Sequence, residues 1–121
     1  MNDVFKILTK EEWSDASKHG YVKTDIDEND GFIHFSTSKQ LAKTLHLYFD
    51  NIDEVVLLQI NEEKIQANLV YEEPDSNNRA GKFPHLYGKL STKDILNTWN
   101  IKRTGFELPL EVLSEAEINS N

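Results

Sequence analysis

The stretch GFIHFSTSKQLAKTLHLYFDNIDEVVLLQI (residues 31–60) changes its hydrophobic pattern twice, and those changes decide the fold class. Its first six residues, GFIHFS, read as a strand with a histidine set among apolar side chains. Ser36, Thr37 and Ser38 are alternative N-caps, because a hydroxyl oxygen there can accept an amide that the first helical turn leaves unpaired. A helix through KQLAKTLHLYF follows, with Leu41, Leu45, Tyr48 and Phe49 on one stripe. EVVLLQI (Glu54–Ile60) is then almost continuously apolar and carries two adjacent valines, the composition of a central strand buried on both faces.

Toward the N-terminus, VFKILT (residues 4–9) alternates as a strand, with Val4, Lys6 and Leu8 on one face and Phe5 and Ile7 on the other. Thr9 and Glu12 form a capping box that opens a helix over residues 10–18. That helix buries Trp13 and Ala16 and stops at Gly20, a residue able to take the left-handed conformation after the last turn. KTDIDEND (residues 23–30) is polar and acidic and reads as a loop.

Toward the C-terminus, NEEK turns the chain and IQANLVYE (residues 65–72) alternates like a half-buried strand. EPDSNNRAGK (residues 73–82) is a long polar loop. FPHLYGKL (residues 83–90) returns to strand, with Pro84 expected at its beginning or on a sheet edge, where a missing amide hydrogen costs nothing. STKDIL supplies one helical turn capped by Ser91, and NTWNIKR a final strand. Helices fail to alternate with strands in this second half, so the expected class is α+β rather than a doubly wound sheet. Residues 1–109 are expected to form one domain, and residues 110–121 a loosely attached acidic tail.

The chain has 121 residues and a formal net charge of −8, from 21 acidic and 13 basic residues. That balance argues against extended nucleic-acid binding, which needs many Lys and Arg contacts to displace counterions. It leaves room for a small pocket holding a phosphorylated ligand. Without cysteine there is no disulfide, no thiolate nucleophile and no cysteine-based zinc site. No apolar run reaches membrane-spanning length, and MNDVFKILTKEEW lacks the pattern of a signal peptide, so a cytoplasmic location is expected.

Of the four histidines, His19 falls at a helix end and His46 off the apolar stripe, where both read as surface residues. His34 in FIHFST and His85 in FPHLYGKL lie inside apolar strands, where an imidazole is costly unless its nitrogens find partners. Each is open to a structural or a ligand-facing reading. A metal centre of His34, His85 and Glu72 lacks local ligand spacing, and Ser36 has no nucleophile-elbow glycines around it. A paired-histidine phosphoesterase needs two His-x-Ser/Thr units; HFS fits and HLY does not. Lys6 is an edge charge or a pocket residue.

With GFIHFST…Q, W…A…GY and FPHLYGKL in the same order and spacing, the chain is identified as a member of domain-of-unknown-function family 952, from Asp3 to Lys102. Families of this kind resemble the ADP-ribosyltransferase fold, which implies a split, bent β core with two main N-terminal helices and a cleft that binds NAD. Residues 32–60 are also similar to a stretch of the RNA 2′-phosphotransferases, which pass an RNA 2′-phosphate to NAD and release nicotinamide.

This resemblance implies that His34 faces a nucleotide pocket with Ser36 at its rim, and that HLYG lies opposite, contributing His85 or Tyr87. Lys6 takes the place where relatives commonly carry a histidine that holds the ribose. Tyr71 matches an aromatic residue that precedes Glu72 in relatives, and Glu72 is the nearest candidate for a transferase-type glutamate. The expectation is a nucleotide-binding pocket, NAD-like or for another phosphorylated small molecule, with Lys6, His34, Ser36 and Tyr87 binding and His34, His85 and Tyr87 catalytic. Two histidines and a lysine point to phosphate. The alternatives are a non-catalytic interaction module with structural histidines and, more weakly, a metal-dependent or paired-histidine phosphoesterase.

Overall fold

The computed structural model describes residues 2–73 and 81–102. Phe5–Thr9 forms strand β1, and Thr9 then caps helix α1 (Lys10–His19). The capping box is present in both directions: Thr9 Oγ1 accepts from the Glu12 amide at 3.1 Å, and Glu12 Oε1 accepts from the Thr9 amide at 2.9 Å. Gly20 ends the helix at φ 82°, the left-handed region expected of it, and its amide donates to the Ala16 carbonyl.

β2 (Tyr21–Val22) leads into helix α2 (Asp25–Asp30), where a loop is expected from the sequence. Thr24 caps it by accepting from the Asp27 amide, three acidic side chains sit favourably in its first turn, and Gly31 closes it at φ 81°. Caps at both ends thus make a helix of a segment with no apolar stripe. β3 (Ile33–His34) is shorter than expected. Helix α3 (Leu41–Tyr48) starts after Gln40, which makes no side-chain cap, so none of the three hydroxyl residues caps it. Ser36 Oγ instead pairs with Thr44 Oγ1 at 2.9 Å, and the Ser38 amide donates to Asp3 Oδ1. Leu41 and Leu45 are fully buried, whereas Tyr48 is exposed.

β4 (Glu54–Ile60) is followed by a short helix, α4 (Glu62–Ile65), and a 3₁₀ turn at Gln66–Asn68. The NEEK turn is therefore helical, and the next strand, β5 (Leu69–Glu72), begins four residues later than the alternation suggests. β6 (Phe83–Leu86), β7 (Leu90–Ser91) and β8 (Ile95–Lys102) complete the described chain, with the turn Thr92–Asp94 capped by Ser91 between the last two. Most of the 73–82 loop and the whole 110–121 tail lie outside the described residues. Among the described residues, no helix is long and apolar enough to cross a membrane.

The strands make two antiparallel three-stranded sheets, β1-β4-β8 and β3-β6-β5, and a small β2-β7 ladder. This is a mixed α+β architecture. One bridge ties the two larger sheets together, through reciprocal bonds between the Phe5 and Ser36 backbones at 2.8 and 2.9 Å. β4 is central and buried on both faces, as its composition requires. Val56, Leu58 and Ile60 pack with Val4 and Leu8 in one core, while Val55 and Leu57 pack with Phe5, Ile7, Leu41 and Leu45 in another. Each such side chain contributes about 1.5–3 kcal/mol when fully buried.

Pro84 lies at the beginning of β6, the first of its two expected places, and not on an edge, because β6 is the middle strand of its sheet. Its carbonyl accepts from the Phe35 amide at 3.0 Å, but proline has no hydrogen to return. The β3–β6 ladder therefore stops at the His34–His85 pair. That early stop releases the chain after His34 to cross to β1.

Candidate functional site

Where the two sheets meet, β1, α2, α3 and the β3-β6-β5 sheet enclose a cleft of about 560 Å3. Lys6, His34, Ser36, His85 and Tyr87 all line it, joined by Phe32, Asp30 and Glu72. Thus the residues singled out from three distant motifs face one cavity, of the size that small organic ligands occupy.

One half of the site is a buried ionic chain. Lys6 and Asp27 are only 5% and 6% exposed, and Lys6 Nζ lies 2.8 Å from Asp27 Oδ2 and donates to the His34 carbonyl at 2.9 Å. The Lys6–Asp27 contact is an ion pair outside directed hydrogen-bond geometry, leaving Oδ2 compensated by charge alone. Asp27 Oδ1 takes two further bonds, from the His34 backbone amide at 3.1 Å and from His34 Nδ1 at 2.7 Å. Burial alone raises the Asp27 carboxyl, but the His34 bond and the Lys6 charge outweigh it and hold it below the usual carboxylate value. Burial pushes the Lys6 ammonium below its usual value against the pull of Asp27.

His34 Nε2 stands 2.8 Å from Asp30 Oδ2, so both ring nitrogens of His34 are held by carboxylates. A ligand reaches either one only by displacing a carboxylate. Lys6 Nζ is held in the same chain by one hydrogen bond, to the His34 carbonyl, and one ion pair, to Asp27. Ser36 is buried, bonded to Thr44, rather than set at a rim.

The other half holds fewer bonds. His85 Nδ1 lies 2.9 Å from Glu72 Oε1, which also accepts from the Tyr87 hydroxyl at 2.6 Å. The bonds from Tyr87 and His85 hold the Glu72 carboxyl below its usual value, so it is ionised at neutral pH. No described residue hydrogen-bonds His85 Nε2 or Glu72 Oε2. Phe32 packs among the rings, stacked on His85 at 4.2 Å and tilted against His34 and Tyr87 at 4.6 and 5.3 Å.

Tyr71 does not line the cleft; its hydroxyl donates to Glu62, outside the site. His19 and His46 are exposed and away from it, as their positions suggest. Among the described residues, no three His, Asp or Glu side chains are placed to hold a metal ion.

Asp27, Asp30 and Phe32 escape the sequence reading. A signal for the first existed: Thr24-x-x-Asp27 is a capping-box spacing and Gly31 a helix stop, and together they mark α2 as the element that carries Asp27 and Asp30. Nothing local distinguishes Phe32 from a core aromatic.

A family model described as protein of unknown function (DUF952) matches residues 7–98. No curated protein matches the chain. Among solved structures, the crystal structure of protein CC0527 from Caulobacter crescentus is similar at a TM-score of 0.78 and 26% identity, covering 94% of this chain and 97% of that one. The solution NMR structure of the same protein gives a TM-score of 0.71 and 29% identity, over 82% and 84% of the two chains.

Proposed function

The chain belongs to the DUF952 family of proteins of unknown function, and we propose that its cleft binds the ring-bearing end of a nucleotide-like small molecule and performs acid–base chemistry on it through His85 and Glu72. The observation that carries this reading is the 2.9 Å contact between Glu72 and His85 Nδ1, with Nε2 unpartnered among the described residues. A carboxylate on Nδ1 fixes the proton there and leaves the Nε2 lone pair to accept one from a water or a substrate hydroxyl. Tyr87 holds Glu72 in turn.

The ADP-ribosyltransferase-like reading of the fold belongs to the same proposal. Two short sheets joined at one bridge, with a cleft where they meet, are compatible with a split β core of that kind. Cleavage of a nicotinamide–ribose bond builds positive charge on the ribose, and an ionised carboxylate such as Glu72 stabilises it. Phosphate recognition by Lys6 and His34 has less support, because both already face carboxylates.

The test is titration of the full chain with NAD, ADP-ribose, ADP and nicotinamide, followed by amide NMR, and a nicotinamide-release assay with and without 2′-phosphorylated RNA. Shifts at Phe32, His85 and Tyr87, and release that disappears in His85→Gln, are expected. If no nucleotide perturbs these residues, the reading is wrong.

A second reading, a non-catalytic interaction module, draws on the saturated Lys6–Asp27–His34 chain, which organises the core whether or not anything binds. Binding that leaves every nucleotide chemically unchanged over long incubation favours it.

A further inference from the structure

Phe32 keeps company with the candidate chemistry residues rather than with the core. It lines the cleft, is only partly buried, and among the described residues belongs to neither apolar core. Its ring contacts are with His85, His34 and Tyr87, at centroid distances of 4.2, 4.6 and 5.3 Å. The shortest of these is also the flattest: the planes of Phe32 and His85 are inclined by 26°, so the phenyl ring covers one face of the imidazole. The backbone accounts for this placement. Gly31 closes α2 in the left-handed region, and Phe32 follows it two residues ahead of His34, so their side chains leave the same face of the chain. His34 stands opposite His85 in the ladder, which brings Phe32 onto the His85 ring.

We infer that Phe32 is a positioning residue for His85, fixing the plane of its ring and with it the direction of the Nε2 lone pair; this rests on the reading that His85 and Glu72 perform acid–base chemistry in the cleft. The bond from Nδ1 to Glu72 Oε1 fixes one point of the imidazole, and by itself does not stop the ring from twisting about that line. A flat ring against one face stops the twist. The Nε2 lone pair lies in the ring plane, so holding the plane aims it, and proton transfer depends steeply on that aim. Glu72 and Phe32 thus restrain His85 in two different ways, the carboxylate within the ring plane and the phenyl ring across it.

Phe32→Leu keeps an apolar side chain but removes the flat ring, and Phe32→Tyr keeps the ring; both are made in the full chain. NMR relaxation of the His85 ring carbons reads the motion of the imidazole itself. An ordered ring in the parent and in Phe32→Tyr, and a mobile one in Phe32→Leu, are expected. The His85 ring protons should lie upfield in the parent and move downfield in Phe32→Leu, where the phenyl ring current is lost. In nicotinamide release from NAD, Phe32→Leu should lower kcat by about tenfold or more with KM little changed, and Phe32→Tyr should restore it. A His85 ring as ordered in Phe32→Leu as in the parent overturns the inference, whatever happens to stability. Equal losses of kcat in the two variants overturn it too. Should Phe32→Leu fail to fold, Phe32→Met repeats the comparison, and His85 protons without an upfield shift in the parent overturn the stacking on their own. If the parent releases no nicotinamide and no nucleotide perturbs the cleft, the functional reading falls, while the relaxation contrast still decides whether Phe32 holds His85.

Discussion

His34 and His85 stand directly opposite each other in the β3–β6 ladder, with ring centroids 5.4 Å apart, yet only His85 keeps a ring nitrogen unpartnered among the described residues. The difference lies in what each strand runs beside. β3 emerges from α2, which carries Asp27 and Asp30 to both nitrogens of His34. β6 runs beside β5, which supplies one carboxylate, Glu72, to one nitrogen of His85. The same residue type at paired positions is thereby fixed in one case and poised in the other.

Removing one partner from the buried ionic chain strands the rest. Asp27→Asn leaves Lys6 buried without its counter-charge and is expected to destabilise the protein by about 3–5 kcal/mol. Lys6→Met should cost less, because Asp27 keeps both bonds from His34. The double variant should be clearly more stable than the summed single losses predict, since the residues share one network. Urea unfolding of the four proteins measures this; strict additivity would refute the coupling.

The same carboxylate sets an acid limb. Asp27 titrates lower in the folded chain than its usual 3.8, so the stability it confers is complete above that value. It is lost as pH falls through 3.8 toward the lower folded value. Glu72, also held low, acts in the same direction. Urea midpoints measured at a series of acid pH values should fall less steeply in Asp27→Asn than in the parent. Parallel curves would count against it.

Glu72 should act on His85 rather than on the fold. Its side chain is 38% exposed, so Glu72→Gln is expected to leave the urea midpoint close to that of the parent. Long-range proton–nitrogen NMR should find neutral His85 protonated on Nδ1 in the parent and as a mixture of tautomers in the variant. A parent His85 protonated on Nε2 would remove it as the base.

The start of α1 offers a test of the helix cap by itself. Thr9→Ala removes the oxygen that receives the Glu12 amide and should cost about 1 kcal/mol. For a domain of this size that is roughly 4 °C of melting temperature. Glu12→Gln should cost less, because its amide oxygen can still accept from the Thr9 amide. Calorimetry comparing the two variants decides the order.

The elements legible in the sequence are those whose signal is local. β1, α1 with its capping box and Gly20 stop, the doubly buried β4 and the last strand each follow from period, cap or composition within a few residues. The family was legible from its motifs taken together, and the expectation that Lys6, His34, Ser36, His85 and Tyr87 share a pocket came from that resemblance; all five line one cleft. α2 was hidden because its six residues have no apolar face, although Thr24 and Gly31 mark its ends. Of the two places open to Pro84, the beginning of a strand holds, and only the pairing discloses that its missing amide hydrogen faces the end of the β3–β6 ladder.

What the sequence by itself determined is the α+β class, the central strand and which side chains are candidates for chemistry, because side-chain period and capping act over one or two turns. Only the tertiary structure decided which carboxylates face Lys6 and His34. Lys6 and His34 look like anion binders in isolation, but Asp27 and Asp30 arrive from an acidic segment whose place depends on how α2 packs. Electrostatic character is a sum over neighbours in space, and Lys6 and its closest counter-charge are 21 residues apart along the chain but 2.8 Å apart in the fold.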